Sequence, residues 1–353
     1  RLARVVQLIE SDYLEEVPAS TLIDGATKGI VESLGDPYSV YMDAEENEKF
    51  MEQIEGKFGG VGIILSLKDP QKLVVLRPIK NTPAERAGLQ SGDVIIKIDD
   101  VDATTIDQDK AVALMRGEPG TKVTLVVYRE SINQNVVIPL TREQISVPTV
   151  EGLALPGNSD IAYVNISQFS SNTDQELREV LQNMNIKNYK GMILDLRYNH
   201  GGELEAAVGV ASCFVKSGPV VFIVDKYGNT ITKTAEGGYL GIPLVVLVNE
   251  ESASAAEIVA GAIKDNGTGT LVGAKTFGKG IVQTIFRLDQ GTSVKLTTAK
   301  YLTPNKIDIH KVGIEPDVKV ELAEGEEVTL SPVTAQFDSQ LQEAVKVLRQ
   351  KIE

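Results

Sequence analysis

Ser254 stands where an apolar run, IPLVVLVN, gives way across NEESA to SAAEIVAGAIKD, a stretch with the spacing of an amphipathic helix. A serine on a strand-to-helix turn is exposed beside backbone N–H groups that lack an acceptor within the helix, the arrangement an acyl-transfer nucleophile uses. The same residues, Ser254-Ala255-Ala256-Glu257, also spell a capping box in which the serine merely caps the helix. Local sequence leaves both readings open. Further along, VGAKTFGKGIVQT carries Lys279 between Gly278 and Gly280, with Gln283 shortly after. Read as a strand, KGIVQTIF sets Lys279, Ile281 and Gln283 on one face, where the amine and the amide can meet.

Composition narrows the chemistry. The 353 residues include two histidines, His200 and His310, and one cysteine, Cys213. A Ser-His-Asp triad or a zinc site would have to draw on that histidine pair, and one cysteine permits neither an intrachain disulfide nor a cysteine-built metal cluster. No metal and no cofactor is expected. Nucleophilic chemistry then needs another base, and a lysine, with an ordinary pKa of about 10.4, serves near neutral pH only where burial lowers that value. Neutral Lys279 would take the Ser254 proton, the alkoxide would attack a carbonyl, and the lysinium would protonate the leaving amine. Gln283 would hold the amine by hydrogen bonding.

With 49 Asp and Glu against 35 Lys and Arg, the net charge is −14, and no basic run marks a nucleic-acid partner. No segment approaches the roughly 18 consecutive apolar residues of a membrane helix. The chain begins at Arg1, which reads as a trimmed start with any export signal or membrane anchor outside it.

Four regions must position these residues. Residues 1–55 read as helices in LARVVQLIESDYLEEV and STLIDGATKGIVESL, with Ser20 and Asp24 near helix starts, a bundle for packing or dimerisation. Residues 56–145 change to short strands, GVGIILSL, KLVVLRPI, GDVIIKIDD and TKVTLVVYRE, with turns at Asp69-Pro70, Ser91-Gly92 and 117–120 and one helix in IDQDKAVALMRG. Residues 146–330 alternate apolar strands and amphipathic helices, which argues for a layered α/β domain. Residues 331–353 return to helix in DSQLQEAVKVLRQKIE.

In the second region, GGVGI (Gly59, Gly60, Val61, Gly62, Ile63) and NTPAERAGLQSGDVIIKIDD closely resemble a PDZ domain, and the first matches the loop by which that family holds a terminal carboxylate. Successive glycines expose N–H groups that can converge on an anion, and the next strand offers an edge to an added peptide strand. Together with NEESASAAE, DLRYNHGGELEAAV, GDPYSVYM and GIEPD, the chain resembles the carboxyl-terminal processing peptidases along nearly its whole length.

That resemblance implies a crotonase-like α/β protease core with the PDZ domain before it, a homodimer, and work outside the cytoplasm, in a periplasm, at a cell surface or in an organelle lumen. It puts the nucleophile on Ser254, the base on Lys279 and the orienting glutamine on Gln283, with Ser252 structural. Backbone N–H groups of Gly201 and Ala255 become the oxyanion candidates. The family usually has proline where His200 stands, which makes His200 a rival base; Asp265 reads as a hydrogen-bond acceptor at its helix end.

The implied substrates are proteins or peptides with apolar or small-residue carboxyl termini. Arg116, which ends the peptide-groove helix in AVALMRG, is a candidate for gating, against a plain reading as a solvated cation favouring a helix C-terminus. Two other classes compete. GAKTFGKG nearly spells a phosphate-binding loop, but Gly280 replaces the magnesium-binding hydroxyl and strand rather than helix follows. A catalytically silent scaffold binding carboxyl tails through the PDZ module is the more serious rival, and esterase or amidase action on small molecules would share the dyad.

Overall fold

The computed structural model describes residues 1–66, 72–322, 326 and 338–352. Two compact units form, one of residues 56–148 and one of residues 1–55 with 149–353.

The larger unit opens with helices α1 (Leu2–Asp12) and α2 (Ala19–Glu32), strand β1 (Val40–Met42) and helix α3 (Ala44–Glu55). Pro18, not Ser20 or Asp24, precedes α2, and no side chain caps it. Proline suits a helix start because its missing N–H would be unsatisfied there. Asp24 instead accepts from the Tyr41 hydroxyl at 2.6 Å, fixing α2 to β1.

The smaller unit holds β2 (Lys57–Gly60), β3 (Ile63–Leu65), β4 (Val75–Pro78), α4 (Pro83–Arg86), β5 (Val94–Ile98), β6 (Val101–Asp102), α5 (Gln108–Met115), β7 (Lys122–Arg129), β8 (Gln134–Thr141) and β9 (Glu143–Ser146). Alternation in KVTLVVYR buries Val123, Leu125 and Val127, which pack with Val75, Ile95, Ile98 and Met115 into a core of its own. The Asp69-Pro70 turn lies outside the described residues.

The larger unit continues through β10 (Val150–Leu155), β11 (Asn158–Ile166), α6 (Thr173–Asn183), β12 (Gly191–Asp195), α7 (Leu204–Ser212), β13 (Pro219–Asp225), β14 (Thr230–Thr234), β15 (Leu244–Val248), α8 (Ala255–Asp265), β16 (Thr270–Gly273), β17 (Ile281–Arg287), β18 (Ser293–Leu302), β19 (Val318–Lys319) and α9 (Ser339–Ile352). One sheet runs β10-β11-β12-β15-β16-β19, parallel except between β10 and β11. Its strands are apolar on both faces because both are covered. Ala162, Val164, Leu194 and Val246 pack with α6, α7 and α8, whereas Tyr163, Ile193, Val245 and Leu247 meet Leu341, Ala344 and Leu348 of α9.

A second sheet joins β1, β18, β13 and β14, with β17 also paired to β18. Through β1 the N-terminal segment becomes part of the sheet that carries β17 (Val40 opposite Lys295). The fold is thus mixed α/β with a separate β-rich module.

Candidate active site

Leu244–Val248 is wholly buried and rich in β-branched valine, so it forms a strand, ending beneath α8. Ser254 occupies the turn between them with φ 55° and ψ −114°. A left-handed backbone at a non-glycine residue costs on the order of 1–3 kcal/mol and persists only where the surroundings impose it. Here Glu257 imposes it: its Oε2 accepts from the Ser254 N–H at 2.9 Å, the return half of the predicted capping box.

Glu257 does more than cap. It is fully buried, and it also accepts from Thr276 Oγ1 at 2.6 Å, from Gly278 N at 2.7 Å and from Lys279 N at 2.8 Å. Burial pushes its carboxyl above the usual range, while those donors pull it back toward the carboxylate. One side chain thereby fixes both the Ser254 turn and the loop that brings in Lys279. Sequence reading gave Glu257 only the capping role, although the Ser-x-x-Glu spacing was the signal that could have marked it.

Lys279 lies in the loop before β17, not within the strand, and a register shift between Val282 and Gln283 interrupts the alternation expected to join their faces. Gly278 and Gly280 flank it because a Cβ at either would stand 2.8 Å from Gly313 N or 2.7 Å from His310 N. The lysine is half-buried. Burial, with Lys295 beside it, holds its amine below the ordinary lysine value, against the opposing pull of Asp36 and Glu257. Its Nζ lies 5.0 Å from the centre of the Tyr38 ring. No hydrogen bond joins Lys279 Nζ to Ser254 Oγ or to Gln283 among the described residues, and Gln283 Nε2 is buried without a partner.

The oxyanion candidates meet at one point. A Cβ on Gly201, whose φ is 95°, would lie 2.7 Å from Ser254 Cβ and 2.8 Å from Ala255 N, so only glycine leaves the space above that amide open. Ala255 begins α8, where its N–H has no intrahelical acceptor. The Gly201 N–H, by contrast, is donated to Asn199 Oδ1 at 2.8 Å. Asn199 Nδ2 in turn donates to Ile166 O at 2.7 Å, which fastens the YNHGGE loop to β11.

The remaining site candidates fall into structural places. Ser252 is buried and donates to Leu196 O at 2.8 Å. His200 is exposed, with Nδ1 3.4 Å from Glu251. Asp265 accepts from Asn305 N at 2.8 Å. The GAKTFGKG run leads into β17 with no helix after it, so the phosphate-loop reading lacks its helix N-terminus.

In the smaller unit, Gly59 and Gly60 close β2, and Val61 and Gly62 lead into Ile63 at the start of β3. A Cβ at Gly59 would stand 2.2 Å from Gly117 O, and Gly62 has φ 83° with Thr82 Cβ 2.3 Å from the Cβ it lacks. Among the described residues β3 pairs only with β4, leaving its other edge open. Beside that edge is a cavity of about 250 Å³ between β3 and α5, lined by Val61, Ile63, Leu65, Val112 and Met115 with Phe58 and Arg116 at one end. Arg116 caps α5 and lies 4.5 Å over the Phe58 ring.

Comparison with known proteins decides the family. Residues 160–320 match the model of peptidase family S41, residues 74–129 that of a PDZ domain, and residues 1–46 that of the activating protease CtpB N-terminal domain. The carboxy-terminal processing protease CtpA of Bacillus subtilis is 41% identical over 324 residues, covering 91% of this chain and 69% of its own. The chain belongs to peptidase family S41. The carboxyl-terminal-processing protease of Synechocystis is 37% identical over 328 residues, covering 92% of this chain and 76% of its own. Among solved structures, a photosystem II D1 C-terminal processing protease superposes with a TM-score of 0.55 at 29% identity, over 96% of this chain and 91% of that one. This S41 chain is therefore a serine-type peptidase with a PDZ domain, of the carboxy-terminal processing kind.

Proposed function

We propose that this S41 peptidase cleaves proteins carrying apolar carboxyl-terminal tails, using Ser254 as nucleophile and Lys279 as base. The observation that carries the reading is the shared carboxylate of Glu257, which hydrogen-bonds the backbone of both residues. A half-buried amine with a lowered pKa can be neutral at working pH, take the Ser254 proton as its oxygen adds to the peptide carbonyl, protonate the leaving amine as the C–N bond breaks to give the acyl-enzyme, and then deprotonate the water that hydrolyses that ester. In this reading Ala255 N–H, at the positive end of α8, receives the oxyanion. Gln283, whose buried Nε2 has no partner, serves to orient the amine when the dyad closes.

Tail recognition rests on the open edge of β3 and the apolar cavity beside it, a geometry suited to β-augmentation with one side chain buried. Gating through Arg116 belongs to this reading as well. The exposed Leu2, Val5, Leu8, Ile23 and Ile30 on α1 and α2 support a homodimer through the N-terminal helices, which light scattering of full and N-terminally truncated chains tests. Work outside the cytoplasm, with membrane attachment by a segment beyond these residues, completes the reading; fractionation of cells expressing the native gene tests it.

The deciding experiment is intact-mass analysis of an unstructured protein with an apolar tail, incubated with the unmodified chain, Ser254→Ala or Lys279→Ala. Cleavage lost in both variants and slowed by amidating the tail supports the whole reading. Tail binding without cleavage by the unmodified chain favours the silent scaffold.

A further inference from the structure

The turn before β1 is built with more polar contacts than a connection needs. Asp36 accepts from Tyr38 N at 3.1 Å through one oxygen, and from Ser39 Oγ and Thr297 Oγ1, both at 2.6 Å, through the other. Ser39 Oγ in turn accepts from Thr297 N at 3.0 Å, and Thr297 is the cross-strand partner of Gln283. This lattice locks the turn to β18 directly across from the residue expected to orient the lysine. Its product is the placement of one side chain, the Tyr38 ring, 5.0 Å from Lys279 Nζ.

We propose that Tyr38 is a positioning residue for the base, its ring being a seat for the protonated form of Lys279 that competes with the Ser254 hydroxyl for the same amine. This inference rests on the reading of Lys279 as base. An aromatic face attracts an ammonium through its quadrupole and holds a neutral amine far less. Loss of the proton therefore both creates the base and loosens it from the ring. When the amine takes the Ser254 proton, the ring again favours the cation that results, until that proton passes to the leaving amine.

Other charges face the amine and act on it independently of the ring. Lys295 on β18 opposes its charge, while Asp36 on the turn and Glu257 on α8 favour it. His310, whose backbone packs against Gly280, belongs to the same cluster, acting on Asp36. All four remain when only residue 38 is changed. The ring's share is thus separable.

The experiment uses the full chain with Ser254→Ala and carbon-13-labelled lysine, the Lys279 signal being assigned by its loss in Lys279→Arg. Its titration midpoint is followed with tyrosine, phenylalanine and leucine at position 38. Tyr38→Phe is expected to leave the midpoint in place and Tyr38→Leu to lower it by roughly half a unit to one unit. In chains with Ser254 intact, the acid limb of kcat/KM should move by the same amount.

Should Tyr38→Leu fail to fold, phenylalanines carrying one, two and three fluorines at position 38 keep the shape while draining the ring's charge. The midpoint should then fall stepwise. A midpoint indifferent to ring charge, one raised by Tyr38→Leu, or an equal shift in Tyr38→Phe overturns the seat. The titration does not depend on cleavage, so full activity of Lys279→Ala would sink the base assignment while the ring effect could still be read.

Discussion

A single oxygen, Oε2 of Glu257, accepts the backbone N–H of Ser254 at 2.9 Å and that of Lys279 at 2.8 Å. The two residues assigned to the chemistry come from different segments, a strand-to-helix turn and a glycine-flanked loop, and this buried carboxylate sets their separation. Hydrogen bonds to a charged acceptor contribute about 1.5–3 kcal/mol each, and an unmatched buried group costs a comparable amount.

Glu257→Gln is the direct test of that coupling. The amide keeps one acceptor oxygen but turns its NH2 toward backbone donors, so at least one donor is left facing another. We expect a fall in kcat of about a hundredfold, since a displacement of about 1 Å between groups that must be held in register costs rates of that order. Unfolding followed by circular dichroism should show a lower midpoint as well. Unchanged kcat with a lowered midpoint would make Glu257 a structural cap alone.

Lys279 also links activity to stability through pH. Its folded-state pKa is lowered, so between that value and the unfolded value near 10.4 the unfolded chain binds more protons than the folded one. Stability therefore gains a contribution as pH rises through that window, and below it the buried ammonium is a constant cost. Lys279→Met should be inactive, more resistant to urea at neutral pH, and flatter in stability between neutral and alkaline pH. Equal slopes for the two chains would contradict the lowered value.

How legible this was in sequence depended on how local the cause was. The α8 helix, the Glu257 half of the capping box and the small unit's alternating strands follow from spacing within short windows, and these formed as expected. The shared face of Lys279 and Gln283 did not, because the register shift at Val282/Gln283 is set by pairing with β18 rather than by alternation in KGIVQTIF. Tyr38 enters the site through a contact spanning much of the chain, for which no local pattern exists, whereas Thr276 reaches Glu257 from only 19 residues away. The surroundings of the Gly201 candidate were half legible: a glycine beside Ser254 was expected, but the Asn199 side chain that takes the Gly201 N–H belongs to tertiary packing.

The smaller unit offers a test that leaves the chemistry untouched. Gly62→Ala places a Cβ 2.3 Å from Thr82 Cβ at a φ of 83°, a conformation that costs an L-residue roughly 1–2 kcal/mol before the clash is counted. Fluorescence anisotropy with an apolar-tailed peptide should show weakened binding in the full chain, with little residual difference between free-acid and amidated tails. Retention of the full preference for the free acid would place carboxylate recognition elsewhere.

The last prediction concerns what holds the far face of the sheet. Arg197 is buried and donates through Nη2 to Asp195 at 2.6 Å and to Asp338 at 2.8 Å, while the Tyr163 hydroxyl donates to Asp195 at 2.7 Å. Asp338 immediately precedes α9, so this ion cluster pins the start of that helix to the end of β12. Removing one partner of such a cluster strands the others in a medium that solvates charge poorly, at a cost of about 3–5 kcal/mol. Arg197→Met leaves two facing carboxylates and should lower the unfolding midpoint far more than Asp338→Asn, which keeps the shape and retains the Asp195 pairing. An unfolding midpoint unchanged in Arg197→Met would mean that α9 is held by the packing of Leu341, Ala344 and Leu348 and not by the ion cluster.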